Sequence, residues 1–172
     1  ANRGKGAAIK TALHWLIGRR DFEFGVLLDG DGQHAPAEIA RFIAAAADCD
    51  ARLFVGNRMA DSAAMPMLRR FVNWYMSHEI SRVCGQPVPD SQCGFRMVRR
   101  DLAPHLLAAT NAFDYETEML FVASLRGERI AAVPVSTIYG EETSKIRPLR
   151  DTIAFFKLLA RYRMRRGADA DA

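Results

Sequence analysis

The sequence predicts an α/β fold with a mostly parallel sheet, and three observations predict it. Helical and strand-type apolar spacings alternate along the 172 residues. The apolar run Val26-Leu27-Leu28 stops abruptly at Asp29-Gly30-Asp31-Gly32-Gln33-His34. That is a buried strand whose carboxyl end opens into a tight polar loop, the place where ligands of open α/β sheets gather. A helix start follows at once in Ala35-Pro36-Ala37-Glu38-Ile39, with proline in the first turn and an acid near the positive end.

The elements follow in order. Lys5 to Ile17 places Ile9, Leu13, Leu16 and Ile17 at helical spacing, with Gly18 as its stop. Phe22 to Leu28 is the strand feeding the acidic loop, and Pro36 to Ala47 an alanine-rich helix. Arg52 to Gly56 is a short strand ending at Asn57-Arg58. Met67 to Val83 is a long helix with Leu68, Phe71, Val72, Tyr75, Met76, Ile80 and Val83 on its apolar side, broken by Gly85 to Pro89. Asp90 to Val98 is a polar loop running into a strand. Asp101 to Ala109 and Tyr115 to Arg126 are helices, and Ile130 to Ile138 is a strand that Pro134 makes an edge or a bulge. Leu149 to Met164 is the last helix.

Composition bounds the class. Apolar residues make up 49% and charged residues 26%, the balance of a soluble globular domain, and the net charge is +4. The positive charge gathers at the end, where Lys157, Arg161, Arg163, Arg165 and Arg166 fall within one helix. The basic residues are not interleaved with aromatics as in a nucleic-acid-binding sheet. Cys49, Cys84 and Cys93 lack metal-site spacing, as do His14, His34, His78 and His105, and a reducing, cytoplasmic setting is expected. No run of apolar residues is long enough to span a bilayer.

Asp29 and Asp31 present hard oxygens, to which Gln33 adds a neutral one; this set suits Mg²⁺ or Mn²⁺. The same residues also make an ordinary turn, since Gly accepts positive φ and Asp bonds its own backbone.

In order along the chain, the motifs resemble family 2 glycosyltransferases of GT-A fold, in the polyprenyl-phosphate (dolichol-phosphate mannose synthase-like) branch. The carriers are Asn2-Arg3-Gly4-Lys5-Gly6, Asp29-Gly30-Asp31-Gly32-Gln33-His34, Gly56-Asn57-Arg58, Asp90-Ser91-Gln92-Cys93-Gly94-Phe95-Arg96, Phe113-Asp114-Tyr115-Glu116-Thr117-Glu118 and Ser144-Lys145-Ile146. The resemblance implies a Rossmann-like three-layer α/β/α sandwich whose first strands, which hold the nucleotide in the family, are expected to be missing here. It divides the chain into a partial catalytic domain, 1–147, and a basic amphipathic helix and tail, 148–172. It implies metal-dependent, inverting transfer of a hexose from a nucleotide diphosphate sugar to a polyprenyl phosphate. The expected location is the inner face of the cytoplasmic membrane, with the C-terminal helix either on lipid or in the core.

Roles follow from the resemblance and the chemistry of each residue. Asp29, Asp31 and Gln33 are the candidate metal ligands, and Gly4, Lys5, Asp29, Gly30 and Asp31 the candidate nucleotide-sugar contacts. Arg58, and Arg96 unless it pairs with Asp90, are candidate phosphate forks; Arg69 or Arg70 is a candidate for the acceptor phosphate, and Lys145 a point charge for either phosphate. Asp90 is the candidate base if the acceptor is a hydroxyl. A phosphate acceptor is already anionic and needs only positioning. Asp31, Asp90, Arg58 and Lys145 are thus the candidate catalytic set. The alternatives are transfer to a sugar or lipid hydroxyl, and a truncated module without catalysis.

Overall fold

The computed structural model describes residues 3–61, 65–107, 115–138 and 148–170. In chain order these form α1 (Lys5–Gly18), β1 (Phe24–Leu27), α2 (Ile39–Asp48), β2 (Leu53–Asn57), α3 (Met67–Cys84), β3 (Arg96–Arg99), α4 (Ala103–Leu106), α5 (Tyr115–Leu125), β4 (Ile130–Pro134) and α6 (Pro148–Ala170). Short 3₁₀ turns at Pro36–Glu38 and Arg58–Asp61 lead into α2 and out of β2. Asn2, Phe113, Asp114, the segment Tyr139 to Thr143 and the motif Ser144-Lys145-Ile146 lie outside the described residues.

The α/β class holds, and the sheet directions differ from expectation. The four strands are ordered β1-β3-β2-β4. β3 pairs antiparallel with both neighbours, and only β2 with β4 is parallel. The sheet is therefore mixed. The alternation of helix and strand suggested parallel crossovers, but α3 returns the chain through the long loop at Asp90, which lets β3 enter the sheet from the opposite end. Pro134 does lie on an edge strand, where its missing N–H costs no ladder bond.

Two helical layers cover the sheet. α1 packs on the Gly25 face of β1, where Leu16 sits so close that no Cβ would fit. Phe24, Phe54 and Met97 point to the other face, toward α2. Phe42 of α2 closes that side against Phe95, ring centroids 4.5 Å apart. The central strands β2 and β3 are buried almost throughout, as Leu53, Phe54, Val55, Met97 and Val98 require.

The C-terminal helix joins this core. Phe155, Leu158, Leu159 and Tyr162 are buried on α6, and the Phe121 and Tyr162 rings lie 4.7 Å apart. The buried Glu118 carboxylate of α5 accepts the Tyr162 hydroxyl at 2.9 Å and pairs with Arg161. Burial, with Glu118 beside it, pushes the Tyr162 phenol up to about 12.

α3 departs furthest from its sequence pattern. Asn73, Ser77, Ile80, Val83 and Cys84 are its buried residues, whereas Leu68, Phe71, Val72 and Tyr75 face solvent.

Candidate active site

The acidic loop begins where β1 ends. Asp31 Oδ1 accepts the Gln33 N–H at 3.0 Å, and Gly32 supplies the positive φ of 75° that this tight turn requires. Gln33 in turn accepts the Ile138 N–H on its carbonyl at 3.0 Å, tying the loop to the chain beyond β4. Asp31 is exposed, while Asp29 and Gln33 are half-buried.

Asp29 meets the N-termini of two helices. Lys5, the first residue of α1, places Nζ 2.7 Å from Asp29 Oδ1 and 2.7 Å from Glu116 Oε2 at the start of α5. Burial lowers the Lys5 pKa, but Glu116 and Asp29 together outweigh it and hold the ammonium above its ordinary value. Lys5 is therefore a fixed cation, gathered with two carboxylates at the carboxyl end of β1.

Gly94 makes room for this arrangement. A Cβ there would lie 2.9 Å from Asp29 Cγ and 3.2 Å from Lys5 Nζ. Only a residue without a side chain lets the carboxylate rest against the loop. Gly94→Ala is expected to change the thermal midpoint little, because the displaced group is the end of a side chain. It should nevertheless displace the Asp29 carboxylate and loosen its pair with Lys5; comparing the Lys5 ammonium resonance by NMR in the two proteins checks this.

A buried brace lies behind the loop. Asp90 is fully enclosed and accepts three hydrogen bonds from Arg58: backbone N–H at 3.0 Å and Nε at 2.7 Å on Oδ2, and Nη2 at 2.9 Å on Oδ1. The Asp90 carboxylate, one of the two partners considered for Arg96, therefore belongs to Arg58. Arg96, also fully buried, donates instead to the carbonyls of Cys93 at 3.0 Å, Ser91 at 2.9 Å and Glu116. It ties the loop before β3 to the start of α5. The inward hydroxyl of Ser77 receives the Ser91 N–H at 2.9 Å, so the polar stripe of α3 holds the same loop. His34 is buried against Phe95, ring centroids 5.3 Å apart. Burial, then Arg58, lowers its pKa below the usual histidine value.

The structure thus gathers Lys5, Asp29, Asp31 and Gln33 around one strand end, with Gly4 capping α1 and Gly30 inside the loop. Arg58 and Asp90 form a separate buried pair, Arg69 and Arg70 are exposed on α3, and Lys145 lies outside the described residues. Two contributors lay outside the candidate set: Glu116 and Gly94 entered the sequence analysis only as members of their motifs. Among the described residues, no three His, Cys, Asp or Glu side chains converge on one point. Two carboxylates with a neutral oxygen still fit Mg²⁺ or Mn²⁺, which commonly take one or two carboxylates and complete their shell with water and substrate phosphate. The Asp29 carboxylate rests in the Gly94 cradle with Oδ1 on Lys5 Nζ. A separate open groove of about 740 Å³, lined by Phe24, Val26, Ile39, Ile43 and Met97 among others, contains none of these residues.

The glycosyl transferase family 2 profile matches residues 1–107. The chain belongs to that family. Among family 2 relatives, it is 32% identical over 149 residues to the UDP-N-acetylglucosamine–dolichyl-phosphate N-acetylglucosaminyltransferase of Methanococcus voltae, covering 81% of this chain and 57% of that protein. It is 25% identical over 144 residues to the undecaprenyl-phosphate mannosyltransferase of Micrococcus luteus, covering 80% and 58%. In structure it is similar to glucosyl-3-phosphoglycerate synthase from Mycobacterium tuberculosis with bound UDP, at TM-score 0.64 and 17% identity over 95% of this chain and 55% of that one. The same synthase with Mn²⁺, UDP and glucosyl-3-phosphoglycerate gives TM-score 0.57 and 16% identity over 92% and 53%. That likeness is one of fold, which is GT-A-like as the motifs led us to expect. The chain spans a little over half the length of each relative it matches.

Proposed function

We propose that this family 2 chain carries a metal-dependent, inverting hexosyltransferase site that takes a nucleotide diphosphate sugar as donor and a polyprenyl phosphate as acceptor, at the cytosolic face of a membrane. The observation that carries the reading is the cluster of Lys5, Asp29 and Asp31 at the carboxyl end of β1, in a chain whose relatives are named for sugar transfer to lipid phosphates.

In this reading, the donor diphosphate lies between the acidic loop and the N-terminus of α1. Gly4 and Lys5 face it there, and the positive end of the helix favours an anion. Asp29, Asp31 and Gln33 would hold Mg²⁺ or Mn²⁺, which supplies Lewis-acid stabilisation of the departing nucleoside diphosphate. Lys5 leaves its carboxylate partners in part to share the phosphate charge, and Glu116 keeps it within reach. An acceptor phosphate oxygen attacks the anomeric carbon opposite the leaving group. Its bond to carbon forms as the bond to the diphosphate breaks, and the diphosphate keeps the electron pair. Arg69 or Arg70 is assigned to the acceptor phosphate, and Lys145 to either phosphate as a point charge.

Asp90 favours this acceptor over a hydroxyl. A general base must reach the proton it removes, whereas both Asp90 oxygens are engaged by Arg58 inside the protein. We assign Asp90 to hold Arg58 at the end of β2, with Arg58 lending positive potential to the site.

The test is transfer of labelled hexose from GDP- and UDP-sugars to polyprenyl phosphate and, in parallel, to the unphosphorylated polyprenol. The expected product is a mild-acid-labile sugar phosphate formed only from the phosphate. Label in the polyprenol alone would refute the acceptor assignment and return Asp90 to the role of base.

A further inference from the structure

Lys5 stands where helix electrostatics do not favour a cation. It is the first residue of α1, at the positive end of that helix, and the first turn of α1 contains no acid. Its ammonium lies instead 2.7 Å from Asp29 Oδ1 and 2.7 Å from Glu116 Oε2, so two acids from other elements share it. The second Asp29 oxygen is engaged as well. Oδ2 is the atom closest to where a Cβ on Gly94 would stand. Asp29 thus has one oxygen on an ammonium and the other against the backbone of the Gly94 loop.

The two acids hold Lys5 differently. Glu116 lies in the first turn of α5, where the helix dipole stabilises a carboxylate. Its carbonyl accepts a hydrogen bond from the fully buried Arg96, which also fixes Ser91 and Cys93 just before Gly94. Glu116 is therefore anchored through its backbone. Asp29 follows the end of β1 and opens the loop that carries Asp31 and Gln33. The Lys5 side chain is 43% exposed and ends in a point charge on a flexible stem. Rotation about that stem can move the ammonium from both acids to Glu116 alone, with the backbone unmoved.

We infer that the Lys5 ammonium is a resident counter-cation of the acidic loop, and that Glu116 is the positioning residue that receives it when Asp29 coordinates a divalent ion. Asp29 cannot serve both cations at full strength, because like charges brought to one carboxylate repel. Without Glu116, Asp29 would be the one described acid partner of Lys5, and Lys5 would hold to it. With Glu116, Lys5 gives up one ion pair and keeps the other. It then stays at the mouth of the loop, beside the place assigned to the donor diphosphate, instead of swinging into water. The inference rests on the metal reading of the acidic loop and adds the residue that frees Asp29 for that role.

Metal alone, without nucleotide or acceptor, tests the exchange. The paramagnetic resonance signal of free Mn²⁺ gives the affinity of the chain and of Lys5→Met. Lys5→Met should bind Mn²⁺ at least about fivefold more tightly, since no ammonium competes for Asp29. Diamagnetic Mg²⁺ then allows Lys5 itself to be followed by nitrogen-edited NMR. The lysines are Lys5, Lys10, Lys145 and Lys157, and loss of one ammonium resonance in Lys5→Met assigns it. In the unaltered chain, saturating Mg²⁺ should shift the Lys5 resonance and leave it visible, because Glu116 still accepts its hydrogen bond. In Glu116→Gln, Mg²⁺ should abolish it through exchange with water. A resonance that Mg²⁺ leaves unmoved would overturn the inference, as would one lost in the unaltered chain or retained in Glu116→Gln. Equal or weaker Mn²⁺ binding by Lys5→Met would also overturn it. Each of these refutes the inference alone, whereas no uptake of Mn²⁺ by either protein would refute the metal reading and the inference with it.

Discussion

Asp31→Asn is expected to lower hexosyl transfer by at least about 100-fold while leaving the fold intact. Metal stabilisation of a departing diphosphate is worth several kcal/mol, and each ~1.4 kcal/mol is tenfold in rate. The substitution also separates the two readings of the acidic loop. Asp31 Oδ1 accepts the Gln33 N–H, and the amide oxygen of asparagine can accept the same bond, so the turn survives. If the loop were only a turn, Asn would serve nearly as well and turnover would persist. Asp29→Asn should cost a similar amount by a second route, since it also removes the charge that holds Lys5 beside the loop. Initial rates at saturating donor, set against the thermal midpoint of each variant, are the measurement.

Arg58→Ala is expected to be the most destabilising single change at the site, by about 3–5 kcal/mol, because it strands a charge inside the protein. Asp90 is fully buried, and all three described hydrogen bonds to its carboxylate come from Arg58. For a chain of this size, the fall in thermal midpoint is on the order of 10 °C. Arg58→Lys keeps the charge, loses the two-pronged fit and should fall between the two proteins. Replacing Arg58 and Asp90 together by apolar residues should cost less than Arg58→Ala alone, since neither charge is then left unpaired. A loss below about 1 kcal/mol for Arg58→Ala, the scale of an exposed pair, would contradict the buried-brace account.

The acidic loop was legible because its signals are local. An apolar run, a carboxylate pair and a proline-led helix start occupy adjacent residues, and backbone chemistry links them. The end of α3 was legible for the same reason, closing at Gly85 in a left-handed conformation, whereas α6 runs on to Ala170, past the expected Met164. Sheet direction was not, because β3 reaches its neighbours through a loop whose course depends on buried contacts. Arg96 bonding three carbonyls and Ser77 bonding Ser91 are long-range bonds with no sequence period. The face of α3 misled for a different reason. Periodicity locates an apolar stripe and assigns it to the core by default, but the structure turns that stripe outward. The partners of Arg58 and Arg96 were interchangeable in sequence, since both arginines adjoin the Asp90 loop and only the fold decides which reaches the carboxylate.

The carboxyl end of β1 is proposed to bind a nucleotide diphosphate sugar through a divalent cation. The most direct measurement is calorimetric titration of the chain with GDP, UDP and their hexose conjugates, first with Mn²⁺ and then with EDTA, alongside Asp29→Asn and Asp31→Asn. The predicted result is binding of one base that requires Mn²⁺ and is lost in both variants while each stays folded. Binding that persists in EDTA, or that both variants retain, would contradict the account.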